Sequence, residues 1–130
     1  MTNYGFITQD QLTKTPEWQP EAVHVKVREK IEESIARRVS LIIEEVAQFN
    51  YRTATINLHD LAEYVHDEVL GFYQTSFRKH PEWRDQLIVM DEMPLSVLNT
   101  IVQAGIDTIL EASDFEFAYH SDGEVQVFWQ

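Results

Sequence analysis

The chain of 130 residues contains no cysteine, only four glycines and only four prolines. Without cysteine it forms no disulfide, and it has neither a thiolate nucleophile nor a thiolate metal ligand. It also lacks the glycine-rich loops that bind phosphate through backbone amides, and the hydrolase motifs GxSxG and HExxH are absent. These absences remove most recognisable catalytic classes, so we do not expect an enzyme, and we expect no cofactor.

Basic residues are also scarce, and they are unevenly distributed. The chain has 10 Lys and Arg against 22 Asp and Glu, which gives a net charge of −12. Residues 1–80 hold 12 acidic and nine basic side chains, whereas residues 81–130 hold 10 acidic side chains and one basic one, Arg84. A field of this sign repels nucleic acids and membranes and attracts basic protein surfaces. We therefore expect a protein partner with a basic surface, and no direct binding to nucleic acid or membrane.

Long apolar runs and targeting signals are missing as well. No run approaches the roughly 20 residues that a membrane span needs. The first ten residues, MTNYGFITQD, lack the basic and apolar regions of a secretory signal. We expect a cytoplasmic protein, made in a bacterium or by an agent that infects one. The length suits a single domain over residues 1–130, in which residues 1–20, with two prolines four apart, form an extended or flexible N-terminal arm.

An amphipathic helix over about residues 57–80 is the element that the sequence predicts most clearly. Asn57 is a suitable N-cap, because its side-chain oxygen can accept a hydrogen bond from a free amide of the first turn. Pro81 ends the pattern. Apolar residues recur at spacings of three and four, namely Leu58, Leu61, Val65, Val69 and Phe72. This stripe predicts that one face of the helix packs on the core.

The polar face of this helix carries the densest group of histidines and carboxylates in the chain. Its members are His59, Asp60, Glu63, His66, Asp67 and Glu68. Because His59, Glu63 and His66 are spaced i, i+4 and i+7, two imidazoles and a carboxylate could bind zinc or another divalent ion. The simpler interpretation is a solvated face with i, i+4 pairing, since no fourth ligand of matching strength is evident.

Two further long helices and a hairpin complete the predicted α+β fold. The first helix is predicted over about residues 20–49 and the third over about 94–112, and a short helix or turn at 81–89 precedes the third. The third helix is the most apolar, so we expect it to be strongly buried, and Gly105 within it indicates close packing against a neighbour. Alternating residues over about 115–129, divided by Asp122-Gly123, predict a C-terminal β-hairpin. We expect a third strand from the N-terminal segment or from residues 52–56.

The acidic bias of the second half is the main functional signal. Its carboxylates can present one acidic surface, formed by Glu82, Asp85, Asp91, Glu92, Asp107, Glu111, Asp114 and Glu116. Trp83 lies among them and is a candidate anchor for a partner, because tryptophan is enriched at binding hot spots. A charged face kept for solubility is the competing interpretation of the same residues.

Several features of the central and third helices also resemble those of a known class of proteins. Leu58-His59-Asp60 opens the amphipathic helix, Asp67 follows along it, Tyr73 and Phe77 lie near its end, and Met93-Pro94 leads into a helix rich in Ile and Leu. This pattern resembles small acidic early proteins of phages, of the overcome-restriction type. The resemblance implies a protein that mimics the charge of DNA and occupies the nucleic-acid groove of a host defence enzyme, with Asp60 and Asp67 at matching acidic positions.

Three functions follow from these observations. The first is a stoichiometric inhibitor, encoded by a phage, whose acidic surface docks on the basic nucleic-acid-binding site of a host defence complex. The second is a neutral assembly or adaptor subunit, which forms a homodimer through its long first helix. The third is a metal-dependent hydrolase that uses His59, Glu63 and His66.

Overall fold

The computed structural model describes residues 20–120 and 122–130 and confirms the α+β fold. In chain order the elements are α1 (Pro20–Ala47), β1 (Thr53–Asn57), α2 (Leu58–Ser76), α3 (Arg84–Glu92), α4 (Leu95–Ala112), β2 (Glu116–His120) and β3 (Glu124–Phe128). A 3₁₀ turn at Pro81–Trp83 precedes α3. The predicted N-terminal arm lies outside the described residues, except for Pro20, which begins α1.

Helix α2 begins where the sequence predicts, but it ends earlier than residue 80. The side chain of Asn57 accepts a hydrogen bond of 2.9 Å from the backbone N–H of Asp60, so Asn57 is the N-cap. The helix stops at Ser76, whose carbonyl accepts hydrogen bonds from the amides of Lys79 and His80. His80 has left the helical region, with φ −132° and ψ 70°. Pro81 has no N–H to donate to the carbonyl of Phe77, and its ring would clash with that carbonyl in a continued helix, which explains the early end.

The three strands form one antiparallel sheet in the order β1-β3-β2. Phe128 of β3 pairs with Thr53 on one side and with Glu116 on the other. The predicted hairpin is therefore confirmed, and the third strand comes from the chain around residues 52–56. The turn that joins β2 and β3 contains Gly123, whose φ of +80° suits a residue without a Cβ.

One hydrophobic core lies between the helices and the inner face of the sheet. Helix α1 crosses the other three helices and also contacts β1. Side chains alternate along β3, so that Val125 and Val127 point into the core. The largest fully buried side chains of the helices are Ile31, Ile35, Met90, Leu98, Ile106 and Leu110. Helix α4 supplies many of them, which confirms the prediction that it is strongly buried.

The region between α2 and α4, where the sequence predicts a short helix or turn at 81–89, contains a 3₁₀ turn followed by a helix. After the 3₁₀ turn the chain continues as α3 to Glu92, and α4 then begins after Pro94. The Pro81–Glu92 segment and α4 meet at an angle of 103°. We name residues 93–97, which lie at this bend, the elbow. The bend decides where the carboxylates on either side of it lie.

Within the described residues, no single helix is long and apolar enough to cross a membrane. The bent pair of Pro81–Glu92 and Leu95–Ala112 meets that criterion only when its two members are taken together.

Candidate partner-binding surface

The eight carboxylates that the sequence predicts on one surface lie in two groups. The first group comprises Glu82 in the 3₁₀ turn and Asp85, Asp91 and Glu92 on α3. The second group comprises Asp107, Glu111, Asp114 and Glu116, which run from the last turns of α4 into β2. At ~1.5 Å per residue, Asp107 lies about 18 Å along the helix from Leu95. Asp91 and Glu92 of the first group therefore lie just before the start of α4, and the second group lies at its other end.

Among the described residues, no Lys or Arg side chain pairs with the carboxylates of either group. No Lys or Arg occurs after Arg84. Among the described residues, the Lys and Arg ion pairs are Lys30–Glu33 at 3.3 Å, Arg37–Glu33 at 3.6 Å and Arg37–Glu68, all within α1 or between α1 and α2. Negative charge is consequently left unpaired around α3, the end of α4 and the hairpin.

Glu82 in the first group has a histidine as its neighbour. Its carboxylate lies 3.1 Å from His80 Nδ1. The pKa of Glu82 is lowered, first by a hydrogen bond from its own backbone amide and then by His80. Glu82 is therefore held in its ionised form and adds to the negative surface.

In contrast, Glu68 on α2 forms an ion pair that joins α2 to α1. Its carboxylate accepts one hydrogen bond from Arg37 of α1 and another, of 2.5 Å, from the hydroxyl of Tyr64. Burial raises the pKa of Glu68, but the hydrogen bonds from Tyr64 and Arg37 outweigh this effect and lower it. The buried Ser34 hydroxyl adds to the lowering, although its geometry is too poor for a full hydrogen bond. The sequence places Glu68 on a polar face and does not reveal this role.

The polar face of α2 does not assemble the predicted metal ligands. His59 Nε2 pairs with Glu63 at 2.9 Å, but His66 pairs with its neighbour Asp67 at 3.7 Å. Within the described residues, no group of three or more His, Asp and Glu side chains is arranged to hold a metal ion. The i, i+4 pairing of a solvated face therefore describes His59 and Glu63 better.

The two α2 carboxylates that carry the phage-protein resemblance are well separated. Asp60 is exposed in the first turn of α2, and it lines a cavity of about 290 Å³ together with Arg38 and Tyr64. Asp67 lies about two turns further along and faces the elbow. Only Asp67 therefore joins the acidic surroundings of the elbow.

In the second group, Asp107 is also part of the scaffold. Its carboxylate accepts a hydrogen bond from the hydroxyl of Tyr119 on β2, which fixes the hairpin against α4. The same hydroxyl lies 3.2 Å from the carbonyl of Gln103. Burial raises the pKa of Tyr119 well above its usual value, and the adjacent Asp107 raises it further. Glu111, Asp114 and Glu116 remain exposed and are the members of this group that a partner can reach.

Trp83 packs within an aromatic cluster and is only half-buried. Its ring stacks on His80 at 4.1 Å and on Phe72 at 5.8 Å, and it meets Tyr73 edge-on at 6.4 Å. Lys30 Nζ lies 3.8 Å from the centroid of Phe72, on the same cluster. These contacts give Trp83 a structural role in joining the 3₁₀ turn to α2. Its exposed part lines a groove whose charged residues are Lys26, Glu29 and Lys30, so the predicted acidic carboxylates do not surround it there.

The elbow carries two cavities that sequence reasoning missed. One has a volume of about 370 Å³ and is lined by Glu63, His66, Asp67, Met93, Leu95 and Leu98. The other has a volume of about 300 Å³ and is lined by His24, Ile88, Val89, Glu92, Met93, Pro94 and Val97. Met93 borders both cavities. Leu95 and Val97 are each 44% exposed, and with the half-buried Met93 they place three apolar side chains at the surface of the bend.

A signal for the elbow exists in the sequence, although it is weak. Val97 lies off the stripe formed by Leu98, Val102 and Ile106, so its apolar side chain has no place in the core that α4 covers. An apolar residue at such a position, next to a Met-Pro break, indicates an exposed apolar surface.

Comparison of the chain with protein-family models, with curated proteins and with solved structures found no match. The resemblance to phage early proteins therefore stays a prediction.

Proposed function

We propose that the protein binds stoichiometrically to a basic, nucleic-acid-binding surface of another protein through the carboxylates of its second half. One observation supports this function above the others. Residues 85–130 contain nine Asp and Glu and no Lys or Arg, and within the described residues none of these carboxylates forms an ion pair. Charge that is not used inside a fold is available to steer and bind an oppositely charged partner.

The separation of the two acidic groups suits a nucleic-acid-binding surface. DNA presents phosphates continuously along its axis, and the proteins that bind it carry Lys and Arg along a comparable length. A separation of about 18 Å along α4 corresponds to roughly five base pairs at ~3.4 Å each. The acidic groups would then occupy sites that phosphates normally occupy. An inhibitor of a host defence complex, encoded by a phage, is the form of this function that the sequence resemblance favours.

This function predicts that removing negative charge weakens partner binding selectively. The test variant carries Asp91→Asn, Glu92→Gln and Glu111→Gln, which are exposed and take no part in the hydrogen bonds described above. The control variant carries Glu29→Gln, Glu44→Gln and Glu45→Gln on α1, so that both lose three negative charges. Each protein is used to capture partners from bacterial lysate, followed by mass spectrometry and by affinity measurements at several salt concentrations.

The expected result is capture of a nucleic-acid-binding protein by the native chain and the control, but not by the test variant. The affinity of the native chain for this partner should fall steeply as the salt concentration rises, because surface charge pairs are screened. Equal capture by all three proteins, or an affinity independent of salt, would remove the proposal.

A second function, an assembly subunit, has a different observation in its favour. Phe49 and Tyr51, just beyond the end of α1, are 70% and 63% exposed, and Leu41 on α1 is 54% exposed. Large apolar side chains exposed together often mark a protein contact. Sedimentation equilibrium of the native chain and of the variant with Phe49→Ser and Tyr51→Ser tests this function. A concentration-dependent dimer that the variant abolishes would support it, and a native monomer at all concentrations would exclude it.

A further inference from the structure

We propose that the elbow is a docking groove for a basic amphipathic helix of the partner protein. This inference rests on the proposed function, because it specifies which element of a basic partner is bound and where. The residues that carry it are mostly different from the carboxylates at the end of α4.

The shape of the elbow supplies the apolar part of this recognition. Its two cavities share Met93 as a common wall, and Leu95 borders one while Val97 borders the other. Each cavity lies near the lower end of the range of about 300–1,000 Å³ that is typical of ligand pockets. An amphipathic helix presents apolar side chains at i, i+3, i+4 and i+7, so neighbouring anchors on one face can enter two adjacent cavities.

The charge around the cavities selects the sign of the occupant. Glu63 and Asp67 line the first cavity and Glu92 lines the second, and Asp91 is exposed beside it. Among the described residues, no Lys or Arg lines either cavity. Apolar side chains rimmed by these four carboxylates, beside His24 and His66, favour a segment that combines Leu-type anchors with Lys and Arg.

Other occupants are less complementary to this rim. Residues 1–19 of the same chain contain Asp10, Glu17 and Lys14 as their charged side chains, so this segment has a net negative charge. A second copy of the chain brings a net charge of −12. Anionic lipid headgroups would be repelled in the same way. A basic helix of a different protein is therefore the occupant that the charge favours.

A synthetic peptide tests the groove without knowledge of the natural partner. The probe is a fluorescently labelled peptide of Leu and Lys with Leu at helical i, i+3, i+4 and i+7 positions. Its controls are a scrambled peptide of the same composition and a helix in which Gln replaces Lys. Fluorescence anisotropy with the full chain measures the affinity for each peptide.

Two protein variants probe the two components of recognition. Leu95→Ser with Val97→Ser removes apolar contacts, and Leu41→Ser with Phe49→Ser is its control at the other end of the molecule. Glu63→Gln with Glu92→Gln removes rim charge, and Glu44→Gln with Glu45→Gln is its control. We expect each elbow variant to bind the Leu-Lys helix roughly tenfold more weakly than the native chain. We expect each control to stay within about twofold of it.

Several outcomes would overturn the inference. Equal loss in the elbow variants and their controls would show that the peptide binds elsewhere. Equal binding of the scrambled peptide would show attraction by charge alone. Equal binding of the Leu-Gln helix would show an apolar surface with no preference for basic partners, such as one that covers another part of this chain or a second copy.

The lysate experiment separates failure of this inference from failure of the proposed function. If partner capture depends on the carboxylates but survives Leu95→Ser with Val97→Ser, the acidic docking stands and the groove is not part of it. If capture is insensitive to both sets of substitutions, the function and the groove fail together.

Discussion

A Cβ atom added to Gly105 would lie 2.8 Å from Cδ1 of Ile35, closer than real Cβ atoms approach a neighbour. Helices α1 and α4 therefore cross at their closest where Gly105 has no side chain. Ile35 is completely buried at this point. The relationship confirms the prediction that a glycine inside an apolar helix marks close packing.

Two glycine substitutions should consequently have opposite effects on stability. Gly71 lies within α2, and a Cβ added there would have no neighbour within 4 Å, so Gly71→Ala should raise the free energy of unfolding by about 0.5–1 kcal/mol. Gly105→Ala gains the same helix propensity but crowds Ile35, and overpacking costs about 1–3 kcal/mol. We expect no net gain for Gly105→Ala. Denaturant unfolding of both variants checks this, and equal stabilisation would contradict the close crossing.

The Glu68 network should make stability depend on pH in the acidic range. Because the folded pKa of Glu68 is lowered, its contribution is present above the unfolded pKa of about 4.3 and is lost as pH falls through the folded value. We expect Glu68→Gln to lower the free energy of unfolding at pH 7 by about 1 kcal/mol. As pH falls through the lowered folded pKa of Glu68, the native chain and the variant should converge. A constant difference in stability from pH 7 to pH 3 would show that the carboxylate charge is not involved.

The hydroxyl of Tyr119 should contribute to a loss of stability at alkaline pH. Its folded pKa is raised, so the folded state keeps a proton that the unfolded chain releases near pH 10, and stability falls as pH rises above that value. Tyr119→Phe should weaken this dependence without abolishing it, because the pKa values of Tyr64 and Tyr73 are raised as well. The variant also loses the hydrogen bond to Asp107, at a cost of about 1 kcal/mol at pH 7. Unfolding measured from pH 8 to pH 11 tests both effects. An identical alkaline decline in the variant would locate the titrating group elsewhere.

The side chain of Gln86 offers a way to stabilise the protein. It is 6% exposed, and within the described residues its carbonyl oxygen has no hydrogen-bond partner. A buried polar group without a partner costs about 1–3 kcal/mol, so Gln86→Met, which nearly preserves the shape, should increase the free energy of unfolding by about 1 kcal/mol. Thermal unfolding measures the change. Gln74→Met, at an exposed position of α2, is the matched control and should be close to neutral.

Local features of the sequence were sufficient to predict most of the fold. Asn57 was identifiable as an N-cap because capping depends on only a few consecutive residues. The Asp122-Gly123 turn was identifiable because a tight hairpin needs a residue that tolerates positive φ. The predicted end of α2, at about residue 80, was wrong. Apolar spacing continues to Phe77, but the backbone before Pro81 leaves the helix.

Less of the candidate site than of the fold could be predicted from the sequence. The identities of the acidic residues and their excess in the second half follow from composition alone. Their division into two groups does not, because it depends on the 103° bend between the Pro81–Glu92 segment and α4. The cavities at the elbow likewise arise where α2 and α4, or α1 and α3, approach each other. No spacing within a single helix encodes such an approach.

The sequence by itself determined the helices, the hairpin, the closeness of packing at Gly105 and the sign of the surface charge. Periodicity, capping and charge are properties of neighbouring residues, so they are present in the chain before it folds. Only the tertiary structure decided that Glu68 accepts hydrogen bonds from Arg37 and Tyr64 and that His59, Glu63 and His66 do not form a metal site. It also decided that the polar face of α2 shares a cavity with the apolar side chains of Met93, Leu95 and Leu98. These relationships join residues that are distant along the chain, and packing of the core brings them together or keeps them apart.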